Sequence, residues 1–370
     1  MTLPKSPATP FLLAASCAAA FLGLSPLVHA QGCVAAHGAG MPVCSNDLAA
    51  AGNPWELSVN YRFFKSDRHF TGTHEDVERQ EQGSQVINRS HFTDVGISYT
   101  FNPQLSASFT VPYVVHDRSQ TLRNAQREII KRYSTQSSGI GDVRGTADYW
   151  LWKPAASQRG NIAIGGGLAL PTGKKDVRDT FQVFDAKSGT ILAADRTVDQ
   201  SIQPGTGGYA LLLEFYAYRA ITSTVTLYAN GSYAATPQEK NGVPTYRSNP
   251  FEAEMSIADT YQARIGAEYA ITAVDGLSVS LGGRIEGVPV HDLIGGSKGF
   301  RRPGFSVAVE PGVSYAKNGW TVRVYVPVAL WRQRQRSIPD LQQTQATGVY
   351  QHGDAAFADY LLMTSISKRF

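Results

Sequence analysis

The chain is poor in charge and in methionine: 17% of its 370 residues are Asp, Glu, Lys or Arg, and Met occurs four times. That balance does not suit a soluble α/β enzyme, and it fits extended strands joined by polar turns. Beyond the N-terminus the sequence lacks any apolar run of about twenty residues, which excludes further spanning helices. It also lacks a basic run with interleaved stacking aromatics. The formal charge of +4 is too slight to indicate a nucleic-acid partner. Lys5 is the only charge in residues 1–30, so the remainder carries +3. Glycine and tyrosine, by contrast, are plentiful at 35 and 17 residues.

The one long apolar run opens the chain. It extends from Phe11 to Val28 behind Lys5, is broken by Pro26 and ends in Val28-His29-Ala30, a small-x-small cleavage pattern. Residues 1–30 are therefore expected to be a cleaved signal peptide, with an uncleaved anchoring helix as the rival. Apolar sequence continues well past Cys17, so it is a poor lipidation site. Cys33 and Cys44 then remain as a pair in an oxidising compartment, where a disulfide closing a short loop is expected. A zinc site shared with His37 is the weaker alternative. Residues 31–54 are small and Gly/Ala-rich, and they read as a periplasmic tail or a short plug.

From residue 55 onward one rhythm dominates, with segments of roughly ten residues alternating apolar and polar positions. In 260–271, Tyr261, Ala263, Ile265, Ala267, Tyr269 and Ile271 share one face. Gln262, Arg264, Gly266 and Glu268 form most of the other. A helix would scatter both sets around its circumference. The count gives about twelve strands, near 55–64, 90–101, 105–115, 141–152, 160–170, 208–219, 224–235, 258–271, 276–288, 303–316, 319–331 and 357–370. Breaks between them alternate short and long. Even strand number with short turns on one rim and long loops on the other is the layout of a transmembrane barrel.

A soluble sandwich also alternates along its strands. Here, however, the apolar parity carries aromatics at many strand ends, including Trp55, Phe63, Tyr113, Tyr209, Tyr269, Tyr315, Trp320 and Tyr360. Such rings match the two interfacial girdles of a membrane barrel. Phe370 shares the parity of Tyr360, Leu362 and Ile366. It resembles the terminal aromatic through which bacterial outer-membrane proteins are handed to their assembly machinery. The expected fold is all-β: a transmembrane antiparallel up-and-down β-barrel of about twelve strands over residues 55–370. Its expected location is the outer membrane of a Gram-negative bacterium. The lipid bilayer is then an obligatory partner, and closure satisfies every backbone donor and acceptor inside it.

If the apolar parity faces lipid, the other parity lines the lumen. The candidate pore-lining residues are Glu56, Arg62, Asp94, Asp142, Arg144, Asp148, Glu214, Arg264, Glu268, Arg284, Glu286, Glu310 and Arg323, accompanied by Asn60, Trp150 and Tyr325. Mixed acids and arginines serve either as a self-satisfied interior network or as a constriction that sorts solutes. A hydrolase reading needs a nucleophile with a base. His69, His74, His91, His116, His291 and His352 fall in loops or at strand ends, with no His-x-Ser-Asn order among them. The adjacent pair His116-Asp117 is weak evidence, since neighbours on a strand point to opposite faces. Glu75, Asp76 and Glu78 do not have calcium-loop spacing. No catalytic residue, metal ligand or cofactor is expected.

One stretch stands out. Gly139–Trp152 reads GIGDVRGTADYWLW, and after a turn comes GNIAIGGGLALPTGKKD. No helix follows to support a phosphate loop. On the parity argument, Val143, Gly145, Ala147, Tyr149 and Leu151 face lipid, and Asp142, Arg144, Asp148, Trp150 and Trp152 face inward. A Gly-Asp-Val strand with following aromatics, a Gly-rich strand and a Leu-Pro-Thr-Gly exit resembles a family of bacterial outer-membrane transporters linked to the meta-pathway of phenol degradation. The resemblance implies an outer-membrane channel, and the inward aromatics Trp150, Trp152, Tyr216 and Tyr218 beside the mixed charges make small, aromatic or apolar solutes the expected cargo. It implies no particular solute, and a barrel with an occluded lumen stays open as the alternative.

Overall fold

A computed structural model describes residues 54–153 and 159–370. The proposed signal peptide, the tail and the Cys33–Cys44 pair lie outside these described residues. Twelve antiparallel strands pair in sequence order. They are β1 (Trp55–Thr71), β2 (Ile87–Thr100), β3 (Leu105–Arg123), β4 (Ile129–Ile140 continued by Arg144–Trp150), β5 (Gly160–Ala169) and β6 (Ala210–Ala220). After them come β7 (Val225–Ala235), β8 (Thr260–Ala270), β9 (Leu277–Val288), β10 (Gly304–Lys317), β11 (Trp320–Tyr325 continued by Val328–Arg334) and β12 (Ala355–Arg369). β12 pairs back onto β1, from Glu56 opposite Arg369 to Phe70 opposite Ala355, so the sheet closes. Among the described residues no helix is long and apolar enough to cross a membrane.

The period-two expectation holds along the barrel. Val59, Val95, Phe109, Leu213, Ile265, Leu281, Val313 and Ile366 are exposed on the outer face. Arg62, Asp94, Arg264 and Glu310, on the opposite parity, are buried. Outward rings at the strand ends include Trp55, Tyr113, Tyr209, Tyr269, Trp320 and Tyr360. Within the lumen an apolar cluster of Phe64, Phe92, Val114, Leu361 and Met363 occupies the half nearer the long loops.

Proline marks the places where the ladder breaks. β4 leaves the ladder at 141–143 beside Pro112 of β3, whose carbonyl accepts the Gly141 N–H at 2.8 Å. β11 breaks at 326–327, where Val326 N–H reaches the Pro311 carbonyl at 3.0 Å and Pro327 itself has no N–H to give. Asn318 and Gly319, both at positive φ, form the two-residue turn between β10 and β11. Those two dihedrals are what a twist-matched hairpin turn requires.

Three expectations need correction. Segment 116–140, read as a loop, instead extends β3 to Arg123 and returns as Ile129–Ile140. The strand placed at 141–152 holds its ladder only over Arg144–Trp150, and Trp152, read as inward, is 51% exposed in the turn beyond it. The long loops also carry structure of their own: a hairpin of Arg178–Asp185 with Thr190–Thr197 and a helix, α1, at Ile338–Thr347. Ser337 and Asp340 cap α1 reciprocally, and Gly348 at φ 71 ends it.

Candidate functional site

Strand register stacks the lumen in rows. Nearest the turns, Asp148, Gly165 and Glu214 stand side by side on β4, β5 and β6. Higher up, Ser58, Gly96, Thr110 and Arg144 share a row. Above these come Asn60, Asp94 and Pro112, and then Arg62, Phe92 and Val114. Polarity therefore changes with depth, because each row takes one residue from each strand.

Two cavities of about 190 Å³ each occupy this lumen. The turn-side cavity is rich in hydroxyls, with Ser58, Ser98, Ser106, Ser108, Thr110 and Thr146 on its wall. The loop-side cavity is lined by Phe92, Pro112, Val114, Met255, Ile257 and Val288 together with arginines. Arg144, Leu212 and Glu214 line both, so they form the layer between them.

Each candidate lining residue has a definite place. Glu56 takes a hydrogen bond from Arg369 at 2.9 Å where the barrel closes. Arg62 lies over the Phe92 ring, 4.3 Å from its centroid. Asp94 accepts from Arg144 at 3.2 Å, and Glu214 accepts from Tyr216 at 2.9 Å. Asp148 lines the turn-side cavity, and its Oδ1 is buried without a hydrogen bond. Gly165 leaves it room, since a Cβ there would sit 2.0 Å from that oxygen.

Most of the remaining candidates form a knot away from both cavities. Glu310, 1% exposed, accepts Arg264 Nε at 2.6 Å and lies 3.4 Å from Arg284. Arg284 also donates to Glu286 at 2.6 Å and to Gln262 at 2.8 Å. Glu268 accepts from Ser314 at 3.1 Å and from Ser278. Arg323 is buried opposite Ser314 and Ser365. Charges buried in this way are stable only when mutually partnered.

Asp142 sits in the break of β4 and serves the loops. Its carboxylate accepts the Gly173 N–H at 3.0 Å and both the N–H and the hydroxyl of Thr206 at 2.8 Å. Thr172 completes the dock: its hydroxyl donates to the Gly141 carbonyl at 2.9 Å and accepts the Val143 N–H at 2.9 Å. The Gly-Asp-Val and Leu-Pro-Thr-Gly segments are thus two halves of one backbone joint.

Alternation along strands could not reveal the loop residues that reach into the barrel. Asp199 is the chief one. It accepts both guanidinium nitrogens of Arg302 at 2.9 Å and the Tyr246 hydroxyl at 2.8 Å, with Arg118 3.4 Å away. Burial alone would raise its pKa, yet Arg118 and Arg302 hold the carboxyl well below its usual value. Burial and the neighbouring Asp199 push the Tyr246 hydroxyl up. Arg301 pairs with Asp292 at 2.6 Å in the same region. The adjacent Arg301-Arg302 in a charge-poor chain was the one available sequence signal.

His69 and His116 are committed elsewhere. His69 bonds Asp354, and His116 Nδ1 meets Ser90 Oγ at 2.9 Å with both residues fully buried. Asp117 points to the other face, toward Arg89 at 3.6 Å.

A solved outer-membrane channel from Pseudomonas putida F1 has a similar fold, with a TM-score of 0.50 at 11% identity over 86% of this chain and 96% of that one. The chain is an outer-membrane β-barrel. The closed sheet leaves no unpaired edge for lipid, and its outward parity is apolar. More distant likenesses include the P. putida toluene transporter TodX, with a TM-score of 0.44 at 12% identity over 88% of this chain and 92% of that one. The β domain of the Bordetella autotransporter BrkA scores 0.45 at 11% identity over 86% and 100%. No family model and no curated protein sequence matches the chain.

Proposed function

We propose that this barrel is a passive channel for small apolar or aromatic solutes entering a Gram-negative cell. The observation that carries the reading is the order of environments along the lumen. A loop-side chamber whose largely apolar wall also carries Arg62, Asp94, Arg301 and Arg302 comes first, then the layer of Arg144, Leu212 and Glu214, then a hydroxyl-lined vestibule at the turn rim. The chamber, about 190 Å³, is slightly larger than an engineered apolar cavity of about 150 Å³ that binds benzene. A single substituted ring is therefore the solute size it suits. In this reading Arg62, Asp94, Asp142, Arg144, Asp148 and Glu214 line the pore, and the knot around Glu310 holds the opposite wall.

The likeness of the Gly139–Asp142 and Leu170–Gly173 segments to the transporter family linked to phenol meta-cleavage supports the same assignment. Their mutual docking gives those two segments a shared reason to exist. Residues 1–30 would direct export, 31–54 would remain as a tail, and Phe370 would present the C-terminal strand to the assembly machinery. We assign no catalysis to the barrel: the Ser90–His116 contact is closed off from solute by burial.

Planar-bilayer recording tests the channel reading. The purified barrel should give ion current that a one-ring alcohol such as benzyl alcohol reduces. A correctly folded barrel that passes no current, both as wild type and with its inward loops released, ends the reading. It would favour the second one, an occluded structural barrel, for which the observation is the dense knot of Arg264, Arg284, Glu286 and Glu310.

A further inference from the structure

We infer that residues 199–208 form a strap that sets the size limit of this channel; the inference rests on the channel reading above. The segment follows the hairpin of Arg178–Asp185 and Thr190–Thr197 and ends at β6. Between them it turns into the barrel mouth instead of crossing it. Gln200, Gln203, Pro204, Gly205 and Thr206 all line the loop-side chamber. The strap therefore occupies cross-section that a solute needs.

A carboxylate pins each end. At its start, nearer the loop rim, Asp199 ties together β3, through Arg118, and two other loops, through Tyr246 and Arg302. At its far end, deeper in the wall, Asp142 takes both donors of Thr206. Between the pins, Gln200 donates to the Ser256 carbonyl at 2.6 Å, and Gln203 accepts the Val177 N–H at 2.9 Å.

The strap also packs against the interruption in the wall, where a Cβ on Gly141 would lie 3.1 Å from the Pro204 carbonyl oxygen. Gly205 lies directly against Gly173, where a Cβ would come within 2.4 Å of the Gly173 carbonyl oxygen. Gly207, at φ 82, makes a turn that other residues rarely adopt. Glycine is required at both positions for different reasons; the Gly205 contact sets the strap beside Gly173, whose own Cβ would lie 3.0 Å from the Gly141 carbonyl carbon in the β4 interruption. Loops that are merely solvated do not bury an aspartate between two arginines. That network holds a defined backbone path, and the path narrows the pore.

The test compares the full-length wild type with two variants that release one end each. Asp142→Asn with Thr206→Val unties the Thr206 pin, and Asp199→Asn weakens the Asp199 pin. Asp195→Asn is the control: it removes an exposed pair with Arg178 on the outer hairpin and touches neither cavity. Folding is checked first by heat-modifiable gel migration. Single-channel conductance is then recorded, and liposome swelling is measured with arabinose, sucrose and raffinose.

In the expected result, either release variant raises conductance roughly twofold or more, as a wider constriction requires. Larger sugars then enter, and the control matches wild type. A silent wild type with conducting release variants also supports the strap, as a closed gate. A conducting wild type with both folded release variants identical to it overturns the strap and leaves the channel standing. If neither wild type nor folded variants conduct, the channel reading fails and the strap inference fails with it.

Discussion

The Asp142 carboxylate accepts both the backbone N–H and the hydroxyl of Thr206, each at 2.8 Å, from a residue 64 positions later in the chain. The same carboxylate takes the Gly173 N–H. An acid in the middle of a transmembrane strand thus anchors two loops, because the ladder opens at that point and frees it to do so. Asp142→Ala should cost about 1.5–3 kcal/mol, the range for hydrogen bonds to a charged group. The temperature at which the barrel loses its folded gel mobility would fall accordingly. An unchanged transition would show that Thr206 and Gly173 are held by other means.

Glu310 is the hub of the interior knot, facing Arg264 and Arg284. Glu310→Gln leaves two buried guanidinium groups short of a counter-charge. Breaking such a network costs about 3–5 kcal/mol. Replacing Glu310 and Arg264 together by methionine should be much milder than the sum of the single changes, since no lone charge remains from that pair. Urea unfolding of the three variants measures this, and strict additivity would contradict the coupling.

The Asp199 carboxyl is held below its ordinary value by Arg118 and Arg302. A depressed folded-state pKa stabilises above the unfolded value of about 3.9 and loses that stabilisation as pH falls through the folded value. The stability gap between wild type and Asp199→Asn should therefore be constant from pH 8 down to about 5, then narrow only under strong acid. Thermal transitions measured across that range report it. A gap that closes near neutral pH would place the titration on a different group.

Two barrel glycines, Gly167 on the lumen parity and Gly283 on the outward parity, should respond oppositely to alanine. At Gly167 a Cβ would meet the Gly145 carbonyl oxygen at 2.1 Å and Thr146 Cα at 2.8 Å, both backbone atoms that cannot swing aside. At Gly283 it would meet nothing within 4 Å. Gly167→Ala should lose about 1–3 kcal/mol by overpacking. Gly283→Ala should be neutral or gain about 0.4–1 kcal/mol from a less flexible unfolded chain. Refolding yield into detergent distinguishes the two, and equal yields would count against the packing argument.

Much of the barrel was legible in advance because a membrane strand obeys a local rule. Ile265 and Arg264 are adjacent, and their opposite environments follow from the pleat alone. Strand limits were less legible where the rule lapses. Tyr133–Ser138 reads YSTQSS and pairs with the upper part of β3, yet it has no apolar parity to announce it. Loop residues were not legible at all. Asp199, Tyr246 and Arg302 converge from three loops, and loop sequence carries no period to follow.

From its sequence alone, the chain determined the number of its barrel strands, their order and the face most of their side chains take, because alternation acts between neighbouring residues. Only the tertiary structure decided which charges meet, which row each occupies and how loop 199–208 enters the lumen. Those outcomes depend on stagger between strands and on the rejoining of distant segments, and a carboxylate such as Asp142 or Asp199 selects its partners only once that geometry exists.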